Sequence, residues 1–576
     1  VRADRALSAL ITLAVLGAAA PANQPARTVR TVDSYFGQPV PDPYRWMETA
    51  SPELGAWTRV QTARTRASLA AIPGRDALRA HMARIADSMV VVSAVTQVGH
   101  LLFFRRRDPG QPHAKLIVRD IQTNRERLLL DPDRIRLNGR AVDIDQFAPS
   151  QDGRYVAVGI GQAGVKLDVL YVLDADTGHR LPDQIDRTRL ASVSWLPDGR
   201  SFFYNRLRRA DPREGSAERF TTQKVFLHRL GQDPGRDVPV FGAGMAGGGG
   251  IAQTDFVAVA AIIGSRRLLG IQNDGLSPDL SLYLGQIPQG DSGYRWQRIT
   301  RPEDGVVDVA AGRDTLYLRS RAVAPRYKVL AVPLARPSLA AARLAVAPSE
   351  AVLTNMAVSA GALYVAGRNG AVSTLIRVGT DGGVTAVRLP RQGSIAPPEE
   401  GPGSLTADPR VPGAIVGVST WVDPPAYYAV ADDAGGVRDL ALVPPARADT
   451  VISETTVRAG DGRTRLPLSI IEARGTPHDG SRPVLALGYG AYGMSEAPMP
   501  ALIPQIRAWV DAGGVMAIAH GRGGGEGGED WHAAGARVSK QNAINDFIDT
   551  ASSMIDLGYA SPETLAAYGQ GAGGVT

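Results

Sequence analysis

Hydrophobic and polar positions divide the chain into three textures. Between about Met89 and Pro445, short runs rich in β-branched and aromatic residues alternate with turn signals. "LLFFRRR", "AKLIVRD", "VLYVLDADTG", "SFFYNRL", "TLYLRSR" and "ALYVAGR" are examples, spaced roughly 8–15 residues apart, and no helical period runs through them. Regular short strands predict a sandwich, barrel or propeller. The stretch is too long for one sandwich and fits about seven four-stranded blades of ~40–50 residues each. "FAPSQDGRYVAV" (Phe147 to Val158) and "VSWLPDGRSFFY" (Val193 to Tyr204) repeat an aromatic-x-Pro step, then Asp-Gly-Arg, then a strand. Their aspartates are expected to form turns, as is the one in "LDADTGHRL".

The flanks read differently. The latter part of Pro39 to Ile85 carries apolar residues at three- and four-residue spacing, and "IPGRDAL" offers a helix break and restart. From about Val451, "VRAGDGRTRLPLSIIEA" reads as a hairpin and "RPVLALGYGAYG" as a buried strand entering a glycine loop. "PALIPQIRAWVDAG" is a helix ending at Gly513, "GVMAIAHGRGGGEGG" a second buried strand and loop, and "NAINDFIDTASSMIDLG" an amphipathic helix. "SPETLAAYGQGAGGVT" reads as a third buried strand and glycine turn. Strand, helix, strand, helix, strand predicts a parallel α/β sheet with helices on its faces.

Composition adjusts this picture at a few points. At 576 residues the chain needs two or three domains, and 44% hydrophobic with 21% charged residues is globular. A net charge of +6 is a mild excess at this length, and the runs "FFRRRDPG" and "NRLRRAD" are short and isolated. They read as solvated loops, so no nucleic-acid partner is expected. The absence of cysteine excludes disulfides, thiolate metal sites and a cysteine nucleophile. At the N-terminus, "VRADR", the apolar "ALSALITLAVLGAAA" (Ala6 to Ala20) and "APA" form the three regions of a secretory signal. A first helix of the folded domain is the competing reading. Cleavage near Ala22 and a periplasmic or secreted protein are expected, and no other segment reads as a membrane span.

All three glycine turns match G-x-G-x-x-G: Gly488-Gly490-Gly493, Gly523-Gly525-Gly528 and Gly569-Gly571-Gly574. A dinucleotide site needs a helix starting on the last glycine and an acid at the end of the next strand. "MSEAPMPALIP" brings three prolines after Gly493, and the next strand ends at His520, so the turns fit that reading poorly. A nucleophile elbow, strand then G-x-S-x-G then helix, fits "TLAAYGQGAGG" better, with Gly569 and Gly573 as flanking glycines. Gly571 stands at the nucleophile position, and no G-x-S-x-G occurs elsewhere; "AVSAG" (Ala357 to Gly361) lacks the first glycine and sits in the β region.

Five blocks occur in order: "DPYRWMET", the strand-rich middle, "GYGAYG", "RGGGEGGEDWHAAG", and "K-x-N…DF" followed by "LGYASPETLAAYGQGAGG". Together they resemble the prolyl oligopeptidase family of serine peptidases, along the whole chain after the signal and most specifically from Pro483 to Gly574. After the expected signal at 1–22, the resemblance implies an N-terminal segment at 23–88 packing on the hydrolase domain. It further implies a seven-bladed β-propeller at 89–445 and an incomplete α/β-hydrolase domain at 446–576 ending after the elbow. It implies hydrolysis of short peptides after proline, without cofactor or metal, by a monomer. The related oligopeptidases B, which share a "YG-x-YG" loop, cut after basic residues instead. By the same resemblance Tyr489 gives an oxyanion hydroxyl, the Ala572 N–H the second donor, and Tyr492 a pocket wall. Arg522, Glu526, Trp531 and His532 are expected to structure their loop, with an Arg–Glu pair bracing it. Gly571 departs from the family serine, and the partner Asp and His belong downstream of it, past Thr576. The expectation is an inactive chain from a damaged or partial gene. A non-catalytic peptide-binding propeller is the alternative, and a nucleotide-binding enzyme a third reading. A sheet ending at its elbow strand is expected to be poorly stable.

Overall fold

The computed structural model describes residues 26–137, 139–162, 168–188, 191–209, 223–245, 250–289, 293–397, 403–432, 436–445 and 449–576. The expected signal, 1–22, lies outside the described residues, as do the last two residues of the basic run at 205–211.

Seven four-stranded antiparallel sheets follow one another along the chain, each from one continuous segment. They run from Val91–Leu130 (blade 1) through Asp143–Thr188, Ser194–Gly242, Phe256–Arg298, Val306–Val346 and Val352–Val387 to Leu405–Asp439 (blade 7). The repeated Asp-Gly-Arg motif turns the first strand into the second in blades 2 and 3. Asp152 Oδ1 accepts the Arg154 amide and Asp198 Oδ1 accepts the Arg200 and Ser201 amides, while Gly153 and Gly199 take φ of 74° and 63°. A residue with a side chain resists that conformation.

Period-two alternation sends successive side chains to opposite faces, so each sheet needs a neighbour on both sides. A separate buried cluster fills each gap. Phe103 and Val158 join blades 1 and 2, Leu170 and Phe202 blades 2 and 3, and Phe203 and Tyr283 blades 3 and 4. The last gap closes the ring: Val95, Leu102 and Phe104 of blade 1 pack on Ile415 and Tyr427 of blade 7. Asp408 fastens the seam by accepting the Gly99 amide at 2.7 Å. This is a seven-bladed β-propeller.

One ionic contact between blades is fully buried. His228 of blade 3 is fully buried, with Nε2 2.9 Å from Asp183 of blade 2 and Nδ1 3.0 Å from Asp237. Two carboxylates facing both ring nitrogens require both to donate, which is the imidazolium form. Burial works against that charge, but the hydrogen bonds to Asp237 and Asp183 outweigh it and raise the pKa above the ordinary 6.5. A raised folded-state pKa gives stability that is full below pH 6.5 and is lost as pH rises through the folded value. We predict that the melting temperature falls as pH is raised from about 6 to about 9, and that His228→Gln removes this slope. Thermal melts across that range check it; equal slopes in the two proteins contradict it.

The N-terminal segment starts with a hairpin, Val32–Tyr35 and Gln38–Pro41, that the hydrophobic pattern does not reveal. Its turn residues Phe36 and Gly37 both have positive φ, and phenylalanine is not a turn signal. Helix α1 (Pro52–Ala70) starts at Ser51, whose hydroxyl accepts the Leu54 amide. The chain breaks at Gly74 (φ 78°) and restarts as α2 (Arg75–Ser88).

The C-terminal sheet has strands β1 (Thr450–Arg458), β2 (Arg465–Ala473), β3 (Val484–Gly488), β4 (Val515–Ala519) and β5 (Leu565–Tyr568), in spatial order β1-β2-β4-β3-β5. β3 pairs in parallel with both β4 and β5. Helix α3 (Ile503–Asp511) links β3 to β4. Helices α4 (Glu529–Ala533) and α5 (Lys540–Asp556) lie between β4 and β5. Strand alternation divides the core: Val515 and Ala517 of β4 face Met554 of α5, whereas Met516 and Ile518 face Ile506 and Val510 of α3. Trp421 and Val422 of the propeller join the α3 side, and Ile85 of α2 packs on Ile503 and Ala508 of α3.

One expectation is corrected here. β5 is not buried: Ala566, Ala567 and Tyr568 are exposed. Among the described residues the strand pairs with β3 and lies at the edge of the sheet, which leaves these side chains exposed.

Candidate active site

Three glycine turns leave the carboxyl ends of three adjacent parallel strands. The chain runs from β3 to β4 on one side and then crosses to β5 on the other side of β3, and the crevice beside such a change of direction is the usual ligand site of an open α/β sheet.

The turn after β5 is a tight elbow. A Cβ on Gly569 would run into the Gly573 carbonyl, and one on buried Gly573 would sit 2.5 Å from the Gly488 carbonyl. These two glycines let the strand fold back against β3. Gly571 differs. Its φ is 57°, and a Cβ built there meets only Tyr489 Cε2, at 3.9 Å. The centre of the elbow therefore combines a left-handed backbone conformation with open space beside the Tyr489 ring.

Tyr489 lies beside that space, and its ring centroid is 6.4 Å from that of Tyr492, which is 76% exposed at φ 58°. Among the described residues, neither the Tyr489 hydroxyl nor the Ala572 amide has a hydrogen-bond partner. The Thr576 hydroxyl donates to the Tyr489 carbonyl at 3.1 Å, and Lys540 Nζ donates to Thr576 and to the Gly490 carbonyl (2.8 Å). Lys540 thus ties the tyrosine loop to the elbow; burial lowers its pKa. A single lysine carries no sequence signal for such a role.

The loop after β4 supports the tyrosine loop from beneath. A Cβ on Gly523 would strike the Gly490 carbonyl, and one on Gly525 the Gly493 carbonyl. His532 Nδ1 donates to the Gly523 carbonyl at 2.9 Å, and its ring lies beneath Gly493. Trp531 Nε1 donates to the Gly521 carbonyl at 2.9 Å. The expected Arg–Glu brace does not form. Arg522 instead grips Asp546 of α5, with its amide and Nε on Oδ2 (2.8 and 2.9 Å) and Nη2 on Oδ1 (2.6 Å), and reaches Asp461 with Nη1 at 3.0 Å. The hydrogen bonds to Asp546 raise the Arg522 pKa. Glu526 turns inward, where Oε1 accepts the Glu496 amide at 2.8 Å and lies 3.3 Å from His520 Nδ1. The glycines between the two residues reverse the chain, so their side chains part. Asp546, the acid of the "K-x-N…DF" block, to which sequence reasoning assigned no role, is fully buried on a helix face shared with Ala543, Thr550 and Met554.

Beyond Glu526 the network continues. His520 Nε2 is 2.8 Å from Ser469 Oγ, which donates to Glu454 at 2.6 Å. Ser469, His520 and Glu526 have the hydrogen-bond order of a catalytic triad, but Ser469 is fully buried within β2 and no substrate carbonyl can reach it. Among the described residues no cluster suited to a metal ion is present, and no helix is long and apolar enough to cross a membrane.

Two family models match the chain: "Prolyl oligopeptidase, N-terminal beta-propeller domain" over residues 24–425 and "Prolyl oligopeptidase family" over residues 502–576. A prolyl endopeptidase of Elizabethkingia meningoseptica is 26% identical over 556 residues, covering 95% of this chain and 75% of that protein. A solved prolyl endopeptidase structure superposes with a TM-score of 0.81 at 28% identity, over 96% of this chain and 79% of the other. Prolyl oligopeptidase B of Galerina marginata, solved with a 25mer macrocyclization substrate, has the same fold: TM-score 0.81 at 20% identity, over 96% of this chain and 80% of that one.

Proposed function

Because the chain belongs to the prolyl oligopeptidase family, we propose that its site is built for short peptides presented to the switch-point crevice, with proline before the bond addressed, and that it does not cleave them. The elbow carries this reading: Gly571 combines a φ of 57° with open space beside Tyr489, so the turn is formed and the attacking oxygen is missing. Tyr489 and the Ala572 amide would receive the peptide carbonyl oxygen, and Tyr492 would wall the pocket. Oxyanion donors without a nucleophile supply only a small part of triad catalysis. A propeller packed on the hydrolase domain, as at Pro325 and Glu529, would favour short, unfolded peptides over folded proteins. A monomer, and a periplasmic or secreted location, accord with this reading.

A chromogenic prolyl peptide and a chromogenic arginyl peptide, each offered to the purified chain, test it. No release of chromophore is expected from either, with binding of the prolyl peptide detected by fluorescence anisotropy of a labelled analogue. Preferential binding of the arginyl peptide would transfer the pocket to the basic-residue specificity of oligopeptidase B, and turnover of either would overturn the reading.

A further inference from the structure

Strand alternation puts Arg368, in the second strand of blade 6 (Ala362–Asn369), on the face that carries Tyr364 and Ala366. Those two residues pack against Val416 and Val418 of blade 7, so Arg368 enters the gap between blades 6 and 7. The residue is 4% exposed, and its Nε and Nη1 are sealed from solvent without a hydrogen-bond partner. Among the described residues no carboxylate pairs with it. Two arginines near the end of the second strand in other blades show what such a side chain ordinarily meets. Arg206 of blade 3 contacts Asp186 and donates to the Pro234 carbonyl at 2.8 Å. Arg319 of blade 5 donates to the Leu353 carbonyl at 3.1 Å and lies 3.5 Å from Asp308.

The segment at 393–396 bounds this part of the gap. Ser373, directly opposite Arg368 across the ladder, donates its amide to the Gly393 carbonyl at 2.8 Å, and its hydroxyl accepts the Ile395 amide at 2.9 Å. Between those two residues, Ser394 exchanges both backbone hydrogen bonds with Ser419 of blade 7, at 2.8 and 3.0 Å, and so ties the two blades together. The Ser394 hydroxyl is also buried without a partner. A buried charge without compensation is among the costliest groups a fold can hold. A guanidinium only donates, so what completes it is an acceptor, and one positive charge is balanced by one negative charge. The depth of Arg368 favours a small free ion over a carboxylate carried on a peptide.

We propose that Arg368, with the Ser394 hydroxyl as second donor, forms a binding site for a small monovalent anion, of the class of chloride or nitrate, between blades 6 and 7, and that the bound anion stabilises the propeller. The site does not involve the elbow or the tyrosine loop, so it stands or falls apart from the reading of the peptide site.

Thermal melts of the purified full chain at constant ionic strength, with chloride replacing the bulky gluconate ion, test the site. The melting temperature is expected to rise by about 3 °C and to saturate with chloride concentration. Nitrate is expected to act alike and sulfate not to act. Arg368→Met, which fills similar space without charge, is expected to melt no lower than the parent in gluconate and to ignore chloride. Ser394→Ala is expected to raise the chloride concentration at half effect about threefold. Arg336→Gln, at an exposed arginine of blade 5, should respond as the parent does. The chlorine-35 linewidth, broadened by the parent chain and narrowed by competing nitrate, reads the same site without a variant. A parent whose melt and linewidth both ignore the anion would overturn the site, and a response that survives in Arg368→Met would move it elsewhere. Equal action by sulfate would overturn the monovalent assignment, and an unchanged Ser394→Ala would remove that hydroxyl from the site. Glu399 and Glu400 lie outside the described residues. A parent indifferent to chloride that becomes dependent on it when both are changed to glutamine would give Arg368 a partner from its own chain and overturn the proposal.

Discussion

Replacing Gly573 with alanine is expected to unfold the elbow, while replacing Gly571 with serine is expected to leave it standing. The difference follows from what a Cβ meets. At Gly573 it would sit 2.5 Å from the Gly488 carbonyl, a backbone atom of the central strand that cannot step aside. The strand pair β3–β5 must separate or the elbow must open, at a cost of about 3 kcal/mol or more. Gly569→Ala faces the Gly573 carbonyl and belongs to the same class. At Gly571 nothing lies closer than 3.9 Å, so serine meets only the conformational cost of a positive φ, about 1 kcal/mol. Urea unfolding of the three variants, followed by a hydrolase-domain probe, checks the order. Equal destabilisation at 571 and 573 contradicts the elbow geometry.

The second large effect is at Asp546. Its carboxylate is fully buried and takes three hydrogen bonds from Arg522, whose side chain is only 13% exposed. Removing one member of a buried pair leaves the other charge without compensation, and Asp546→Ala is expected to cost about 3–5 kcal/mol. The loss is also local. Arg522 starts the glycine loop, and that loop carries Gly490 and Gly493 on its back, so peptide binding should fall along with stability. Asp461→Ala removes the exposed partner of the same guanidinium and should have a far smaller effect. Paired melting and peptide-binding measurements check both variants. Asp546→Ala with intact binding would show that the tyrosine loop holds its position without Arg522.

The blades were legible because strand alternation and Asp-Gly turns are local signals. Each turn closes within a few residues and leaves its mark in the same short stretch. How the sheets face one another was not legible. The pairing of Phe103 with blade 2, or of Tyr427 with blade 1 across 300 residues of chain, depends on ring closure and not on any local pattern. The glycine turns of the site were equally plain, since few other residues tolerate such approaches, and Gly571 was singled out by their spacing together with the family resemblance. Their bracing was not. Arg522 and Glu526 share a loop and look like partners, yet the reversal between them sends one to Asp546 and the other to His520. Lys540 acts through backbone carbonyls brought near by the fold, which no side-chain motif announces.

Intact-mass analysis after treatment with a serine-directed phosphonate addresses the missing nucleophile most directly. The chain contains a serine in a triad-like array at Ser469, sealed inside the sheet, and a nucleophile turn with glycine at its centre. The predicted result is an unchanged mass after prolonged exposure. A single adduct, at Ser469 or at any other serine, would show that the protein holds an activated hydroxyl and that Gly571 does not mark the loss of one.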